Sequence, residues 1–444
     1  MAKVAVVTLG CDKNTVDSEC MLGLLNQEQY HIVTNTREAD IIIINTCGFI
    51  TAAKEESINT ILEMVNLKKI KPELKVIVTG CLVQKYCTEL AEEIPEVDGF
   101  LGSNDVTALP ALLDKVSAGQ RITKLQKSTN NPDLYIPRVK STEYYSYLKV
   151  AEGCDKKCTY CAIPEMRGGY ASRSIASLLK ETEIMAQSGI KEISLVAQDI
   201  TLYGEDLYHE LSLVKLLQQI AKISDLEWIR LLYCYPDHIT DELINFIAAE
   251  TKVCNYLDIP LQHAHPEILK QMGRRGNTEQ IIKLIEKLRT KIPNVALRTT
   301  FIVGFPGETE RHFQTLLDFM SLIKFDWVGV FTYSQEEGTV AAGFANQVPD
   351  EVKEERFHRA MLHQLEITSA NNNKWLGKTV PVLVEGKALE RDGFWQGRTE
   401  QQAPEVDGSV LFSADKVEPG EFVPVLIRRV EEYDLIGEIQ NEFS

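Results

Sequence analysis

Residues Tyr145–Cys161 read YSYLKVAEGCDKKCTYC, a short strand-like run followed at once by three cysteines. The opening YSYLKV is rich in the aromatic and branched side chains that favour strands. Cys154, Cys158 and Cys161 then follow as C-x3-C-x2-C, compact enough for one loop to fold round one metal centre. A structural zinc site or an ordinary iron–sulfur site takes four protein ligands. No fourth Cys or His follows here in regular spacing. An iron–sulfur cube held by three thiolates leaves one iron open to a small molecule. Three incidental core cysteines are the competing reading, and the strand placed directly before them counts against it.

Downstream, the pattern alternates strand and helix. Strands are expected at 145–150, 192–197, 227–232, 255–260, 296–303 and 326–332, with helices at 174–188, 211–223, 241–251, 266–292 and 309–323. Six β/α units in succession predict a partial (β/α)6 barrel whose working groups lie at the carboxyl ends of its strands.

Upstream, residues 1–126 also alternate β and α. Buried-type runs at 4–9, 40–45 and 75–79, with helices at 14–27 and 53–66, predict a doubly wound parallel sheet. Asp17 and Ser18 are placed in the opening turn of the first of these helices. Each of the three strands ends in a cysteine: VTLGC at Cys11, INTCG at Cys47 and VTGC at Cys81. Strand ends of a parallel sheet lie side by side in its ligand crevice, so three thiols distant in sequence converge. Gly10 and Gly80 precede two of them and permit close backbone approach. Cys20, Cys87, Cys234 and Cys254 lack ligand spacing and read as core thiols.

A polar stretch, 127–142, reads as a linker, and the central unit is expected to span 143–373, ending in a long helix from Asp350 to about Asn372. Residues 374–444 change pattern to short β runs at 380–385, 393–398, 408–412, 422–428 and 434–439, the signature of a small all-β, OB-like barrel. Of the 444 residues, 44% are apolar and 25% charged, and the net charge is −17. That balance excludes a generally basic, phosphate-coating surface. The longest apolar runs are strand-sized and no signal-peptide pattern opens the chain, so a cytoplasmic protein without a membrane segment is expected. Ten cysteines in a reducing compartment point to metal binding or chemistry rather than disulfides.

The cysteine loop after the first barrel strand resembles the radical S-adenosylmethionine (SAM) superfamily. The resemblance implies a 4Fe–4S cluster on Cys154, Cys158 and Cys161, with SAM on the open iron and cleaved to a deoxyadenosyl radical. Tyr160 is then expected near the adenine. With the second cysteine set, and with LGCDKNTVDSE, INTCGFI, VTGCLVQ and CAIPEMRGGYASRS, the whole chain resembles the methylthiotransferase family of that superfamily. Membership implies a second 4Fe–4S cluster on Cys11, Cys47 and Cys81 that carries the inserted sulfur, and two SAM molecules per turnover. It implies too that 374–444 is a TRAM-type substrate-binding barrel. Strand ends offer Gln198, Asp199, Gln262, Arg298 and Thr300 for SAM, and Arg167 and Arg173 could neutralise a carboxylate, with a structural ion pair the alternative for each. His263 and His265 in LQHAHP read as barrel-rim hydrogen bonders, because no carboxylate or Cys accompanies them at ligand spacing. The glycines of GFPGE are a weak phosphate-cradle signal, since no Lys-Ser/Thr follows.

The family divides into enzymes acting on transfer RNA (MiaB type) and on a ribosomal protein (RimO type). From Leu376 to Ser444 there are seven Lys/Arg against fourteen Asp/Glu, a net −7 that suits a basic protein partner better than RNA. LYCYPDHITDEL, YLDIPLQHAHPEIL and GRTEQQAPEVDG resemble the ribosomal-protein branch. That branch implies β-methylthiolation of an aspartate in protein twelve of the small ribosomal subunit, an electron donor such as a flavodoxin, and contact with nucleic acid only through the ribosome. The alternatives are the same chemistry on a transfer-RNA adenosine, a non-catalytic iron–sulfur electron-transfer or cluster-delivery protein, and a zinc-bound scaffold.

Overall fold

A computed structural model describes residues 2–28, 30–125, 133, 135–274 and 277–440. Residues 127–132 and 134 of the expected linker lie outside them. Strands β1 (Lys3–Thr8), β2 (His31–Ile32), β3 (Ile41–Thr46), β4 (Lys75–Gly80), β5 (Gly99–Gly102) and β6 (Ile122–Lys124) form one parallel sheet in the order β2-β1-β3-β4-β5-β6. The isoleucines of β3 show why it is doubly wound. Ile42 and Ile44 join one apolar core and Ile41 and Ile43 the other, so alternate residues of one strand feed helices on both faces. β5 and β6 escape the sequence pattern because GFLG is too glycine-rich and ITK too short to carry a strand signal.

The central sheet follows. β7 (Tyr145–Lys149) is succeeded by a small antiparallel pair, β8 (Ala151–Glu152) with β9 (Ala171–Ser172). Then come β10 (Glu192–Val196), β11 (Trp228–Leu231), β12 (Val253–Asp258), β13 (Ala296–Val303) and β14 (Trp327–Thr332). The six long strands are parallel in the order β14-β13-β12-β11-β10-β7, an open barrel with β14 and β7 at its edges. The helix expected over 266–292 is two helices, Pro266–Gln271 and Thr278–Lys291. Gly273 adopts φ +72°, and Asn277 caps the second helix in a reciprocal box with Gln280, so the chain stops and restarts. The long helix Asp350–Asn372 closes this unit, with Ala360 in its core.

Strands β15 (Thr379–Lys387), β16 (Phe394–Arg398), β17 (Val410–Ser413), β18 (Phe422–Glu431) and β19 (Asp434–Ile439) close a barrel in the order β15-β16-β17-β19-β18. Its β16–β17 loop enters the amino-terminal mouth of the central barrel. Trp327 Nε1 donates to the Gln401 carbonyl at 2.7 Å, Tyr256 Oη to Asp407 at 2.7 Å, and Tyr145 Oη to Glu405 at 2.8 Å. Arg398 pairs with buried Glu192 at 2.9 Å. Some of the third barrel's acidic charge is therefore turned inward, and the opposite, carboxyl-end mouth is left to the cysteines.

Candidate active site and metal centres

Gly153 turns the chain out of β8 with φ +74°, and a Cβ there would stand 2.0 Å from the Gly169 carbonyl oxygen. Only glycine permits that approach. The cysteine loop that follows is clamped on two sides. Cys154 N–H donates to the Gly168 carbonyl at 3.0 Å, and Thr159 N–H donates to the Met272 carbonyl at 3.0 Å. Within the loop Cys161 N–H donates to the Cys158 carbonyl at 3.1 Å, and Lys156 N–H donates to Cys154 Sγ at 3.4 Å. Burial pushes the Cys154 thiol up and the Cys161 thiol to about 12.

Cys11, Cys47 and Cys81 follow β1, β3 and β4, three adjacent strands. Cys11 caps helix Asp12–Gln27 and Cys81 begins helix Cys81–Glu93, so both sulfurs stand at helix amino termini, where negative charge is favoured. A Cβ on Gly10 would lie 2.8 Å from Cys47 Cβ and 3.2 Å from its sulfur, which shows how closely the loops converge. Ser57 braces Cys47 by accepting its N–H at 3.1 Å and donating to its carbonyl at 2.9 Å. Burial pushes the Cys47 thiol to about 11 and that of Cys81 upward.

The two cysteine sets meet across the domain interface. Ala162 and Met166, just after Cys161, pack against Cys81. Arg167 Nε donates to Cys81 Sγ at 3.2 Å, and Nη1 pairs with Asp17 at 2.6 Å and Glu152 at 3.2 Å. Lys149 joins the same two carboxylates at 2.5 and 2.6 Å. Burial alone would raise Glu152, but Lys149 and Arg167 hold its carboxyl at about 2. The expectation for Arg167 is thus corrected: its guanidinium faces the amino-terminal domain and a cysteine, with two protein carboxylates already on it. Asp17 is corrected too. The helix starts at Asp12, which places Asp17 in its second turn and on the interface.

The other expected SAM contacts divide. Gln198 Nε2 donates to Glu152 at 3.3 Å, and Asp199 takes Lys156 of the cysteine loop at 3.0 Å, so both stand beside that loop. Tyr160 packs against an apolar cluster of Ile268, Met272, Phe305, Tyr333 and Ala341. Gln262 has φ +73° and bridges to β13, its N–H donating to the Thr300 carbonyl at 2.7 Å. Arg173 belongs to a structural pair, with Glu181 at 2.6 Å and the Lys149 carbonyl at 3.1 Å. Arg298 pairs with Asp258 at 3.0 Å and Asp407 at 3.3 Å, with Thr300 Oγ1 at 3.5 Å, and so faces the third domain. Buried partners quench both arginines, and sequence spacing does not show such partners.

Residues that the sequence reading passed over include Asn14, Lys149, Glu152, Lys156 and Tyr233. Tyr233 sits at φ +60°, costly for a bulky side chain, with the Lys13 ammonium 3.5 Å from its ring centre. The available signal was the helix Asp12–Gln27, whose Lys13, Asn14, Asp17, Ser18 and Glu19 are all buried. Polar residues recurring along a buried helix face need polar partners.

Cys87, Cys234 and Cys254 are buried in apolar surroundings, as expected, and Cys20 packs against the core. His263 Nδ1 accepts the His265 N–H at 2.9 Å, and its Nε2 lies 3.4 Å from Glu308. Folding thus supplies a carboxylate that ligand spacing did not show. His265, Glu267 and His312 place three ligand atoms within 4.8 Å of one another. Both imidazoles there use Nδ1 to accept a helix-start N–H, which fixes them as caps. The GFPGE loop closes on itself, Glu308 accepting the Gly304 N–H at 3.0 Å and pairing with Arg356 at 2.9 Å.

Family models match three stretches: the uncharacterized protein family UPF0004 over 3–102, the radical SAM superfamily over 148–320 and the TRAM domain over 376–439. Among solved structures, the fold is similar to the radical S-adenosylmethionine methyltransferase TsrM from Kitasatospora setae. The TM-score is 0.55 at 14% identity, covering 75% of each chain. The cobalamin-dependent radical enzyme OxsB gives 0.53 at 16%, covering 72% of this chain and 52% of that one. No helix among the described residues is long and apolar enough to cross a membrane. A ribosomal protein uS12 methylthiotransferase RimO from Heliobacterium modesticaldum is 48% identical over 99% of this chain and 95% of its own. The protein of that name from Desulforamulus reducens is 48% identical over 99% and 100%, and that from Pelotomaculum thermopropionicum 49% over 98% and 99%. With this full-length similarity, the chain belongs to the RimO family of radical SAM methylthiotransferases.

Proposed function

We propose that the protein methylthiolates the β-carbon of an aspartate in protein twelve of the small ribosomal subunit. Cys154, Cys158 and Cys161 would hold one 4Fe–4S cluster with SAM on its open iron, and Cys11, Cys47 and Cys81 the other. The donor sets suit such groups: three thiols stand together in each, and where burial favours the neutral form, at Cys47, Cys81 and Cys161, a cationic centre is what makes the thiolate. When bound, these groups supply the electron, the hydrogen-abstracting radical, the sulfur and the methyl group.

The observation that carries the reading is the joining of the two cysteine sets through Ala162, Met166 and Arg167. The chain's own part is positional. Gly153 and the clamps at Gly168 and Met272 shape one loop, the sheet edge gathers the other three thiols, and the Asp17–Arg167–Glu152–Lys149 network locks one set against the other. Gln198 and Asp199 stand beside the first loop to orient SAM. The acidic barrel at 374–444 receives the basic substrate on its outer face, and a cytoplasmic reductant such as a flavodoxin supplies electrons.

The test is to incubate anaerobically reconstituted enzyme, SAM and reductant with the ribosomal protein and, separately, with transfer RNA. Mass spectrometry should find an added SCH2 on the aspartate peptide. Modification of transfer RNA with an unchanged ribosomal protein refutes the substrate. Reduced enzyme that yields no 5′-deoxyadenosine with either substrate refutes the chemistry.

A further inference from the structure

Arg167 ends the short helix Ile163–Arg167, which follows the radical-domain cysteine loop. It is 2% exposed and carries its charge into the interface. Its nitrogens are divided among different partners: Nε to Cys81 Sγ at 3.2 Å, Nη1 to Asp17 and Glu152, and Nη2 to the Asn14 side chain at 2.5 Å. The planar fork is thereby fixed from several sides, so the Nε–H cannot swing away from the sulfur. The next residue, Gly168, accepts the Cys154 N–H. Two consecutive residues thus touch one cysteine of each set.

We infer that Arg167 is a positioning residue for the centre held by Cys11, Cys47 and Cys81: its N–H bond draws charge from the Cys81 sulfur and so sets that centre's reduction potential. The inference rests on the proposed reading of those cysteines as cluster ligands. Iron–sulfur potentials follow the hydrogen bonds to the sulfurs and the net charge around the cluster. A buried guanidinium aimed at a ligating sulfur stabilises the reduced, more negative state. Asp17 and Glu152 aim the group and partly offset its charge.

The test uses the full chain with Cys154, Cys158 and Cys161 all changed to Ala, reconstituted anaerobically so that one centre remains. Its midpoint potential is read by EPR-monitored redox titration, without any activity assay. Arg167→Lys keeps a positive charge but loses the fork. It should lower the potential by about tenfold in the reduced-to-oxidised ratio, 59 mV for a one-electron couple. Asp17→Asn leaves the guanidinium on the sulfur and removes an offsetting charge, so it should raise the potential. Unmoved potentials, or shifts of the same sign, overturn the inference. If Arg167→Lys does not fold, Asp17→Asn decides alone: no shift, or a downward one, is the refuting result. A triple-alanine protein that takes up no iron refutes the cluster reading itself, and the inference falls with it.

Discussion

Glu192 holds the third domain's loop to the central barrel, and replacing it by Gln should destabilise the protein strongly. Its carboxylate is fully buried between two guanidinium groups, Arg230 at 2.6 Å and Arg398 at 2.9 Å. Arg398 retains Glu385 at 2.5 Å after the change, whereas Arg230, fully buried, loses the one carboxylate it is paired with among the described residues. Leaving a buried charge uncompensated costs about 3–5 kcal/mol. For a domain of 150–250 residues about 2–4 °C accompany each kcal/mol, so Tm should fall by roughly 6–20 °C. Thermal and urea unfolding of the reconstituted full chain read this. The double variant Glu192→Gln with Arg230→Met removes one charge of each sign and leaves the Arg398–Glu385 pair intact. Replacing a buried ion pair by neutral side chains is often close to neutral. The double variant should therefore be more stable than Glu192→Gln alone. A single variant within about 1 kcal/mol of the parent, or a double variant no better than the single, would refute the reasoning.

Three further outcomes are expected. Cys11→Ala and Cys154→Ala should each lower anaerobically reconstituted iron from about eight to about four per chain, as two independent three-thiolate cubes require. An equal and complete loss in both variants would contradict independence. Gly80→Ala should remove the iron of the Cys11, Cys47 and Cys81 set alone, since its φ is +100° and a Cβ would lie 2.3 Å from the Thr46 carbonyl oxygen. Retention of all iron would show that the loop relaxes. Glu152, held at about 2 by Lys149 and Arg167 against its burial, has a folded value below its unfolded one. Its contribution to stability is present above about pH 4.3 and is lost as pH falls toward about 2. Glu152→Gln should flatten that part of the Tm-against-pH curve.

The six barrel strands, the long helix at 350–372 and the five strands of the small barrel lie close to where periodicity places them, because each is long or strongly patterned. β5 and β6 are neither. The break at Gly273–Asn277 is hidden because both helix halves continue a helical hydrophobic pattern. At the site, Cys11, Cys47 and Cys81 follow three adjacent strands, and Cys154, Cys158 and Cys161 lie in the loop beyond β8. The arginines do not behave as their nearness in sequence suggests. Arg167, Arg173 and Arg298 are each claimed by carboxylates from other elements: Asp17, Glu181 and Asp407.

Sequence alone determines that two sets of three thiols exist, since Cys11, Cys47 and Cys81 each follow a strand and Cys154, Cys158 and Cys161 share the loop after the first barrel strand. Tertiary structure decides that the segment after Cys161 packs on Cys81, that Arg167 reaches the Cys81 sulfur, and that the third domain plugs the far mouth of the barrel. Those outcomes depend on pairing buried charges across domain interfaces. Such pairing is set by which groups lose water together, a property of the packed molecule that no local pattern encodes.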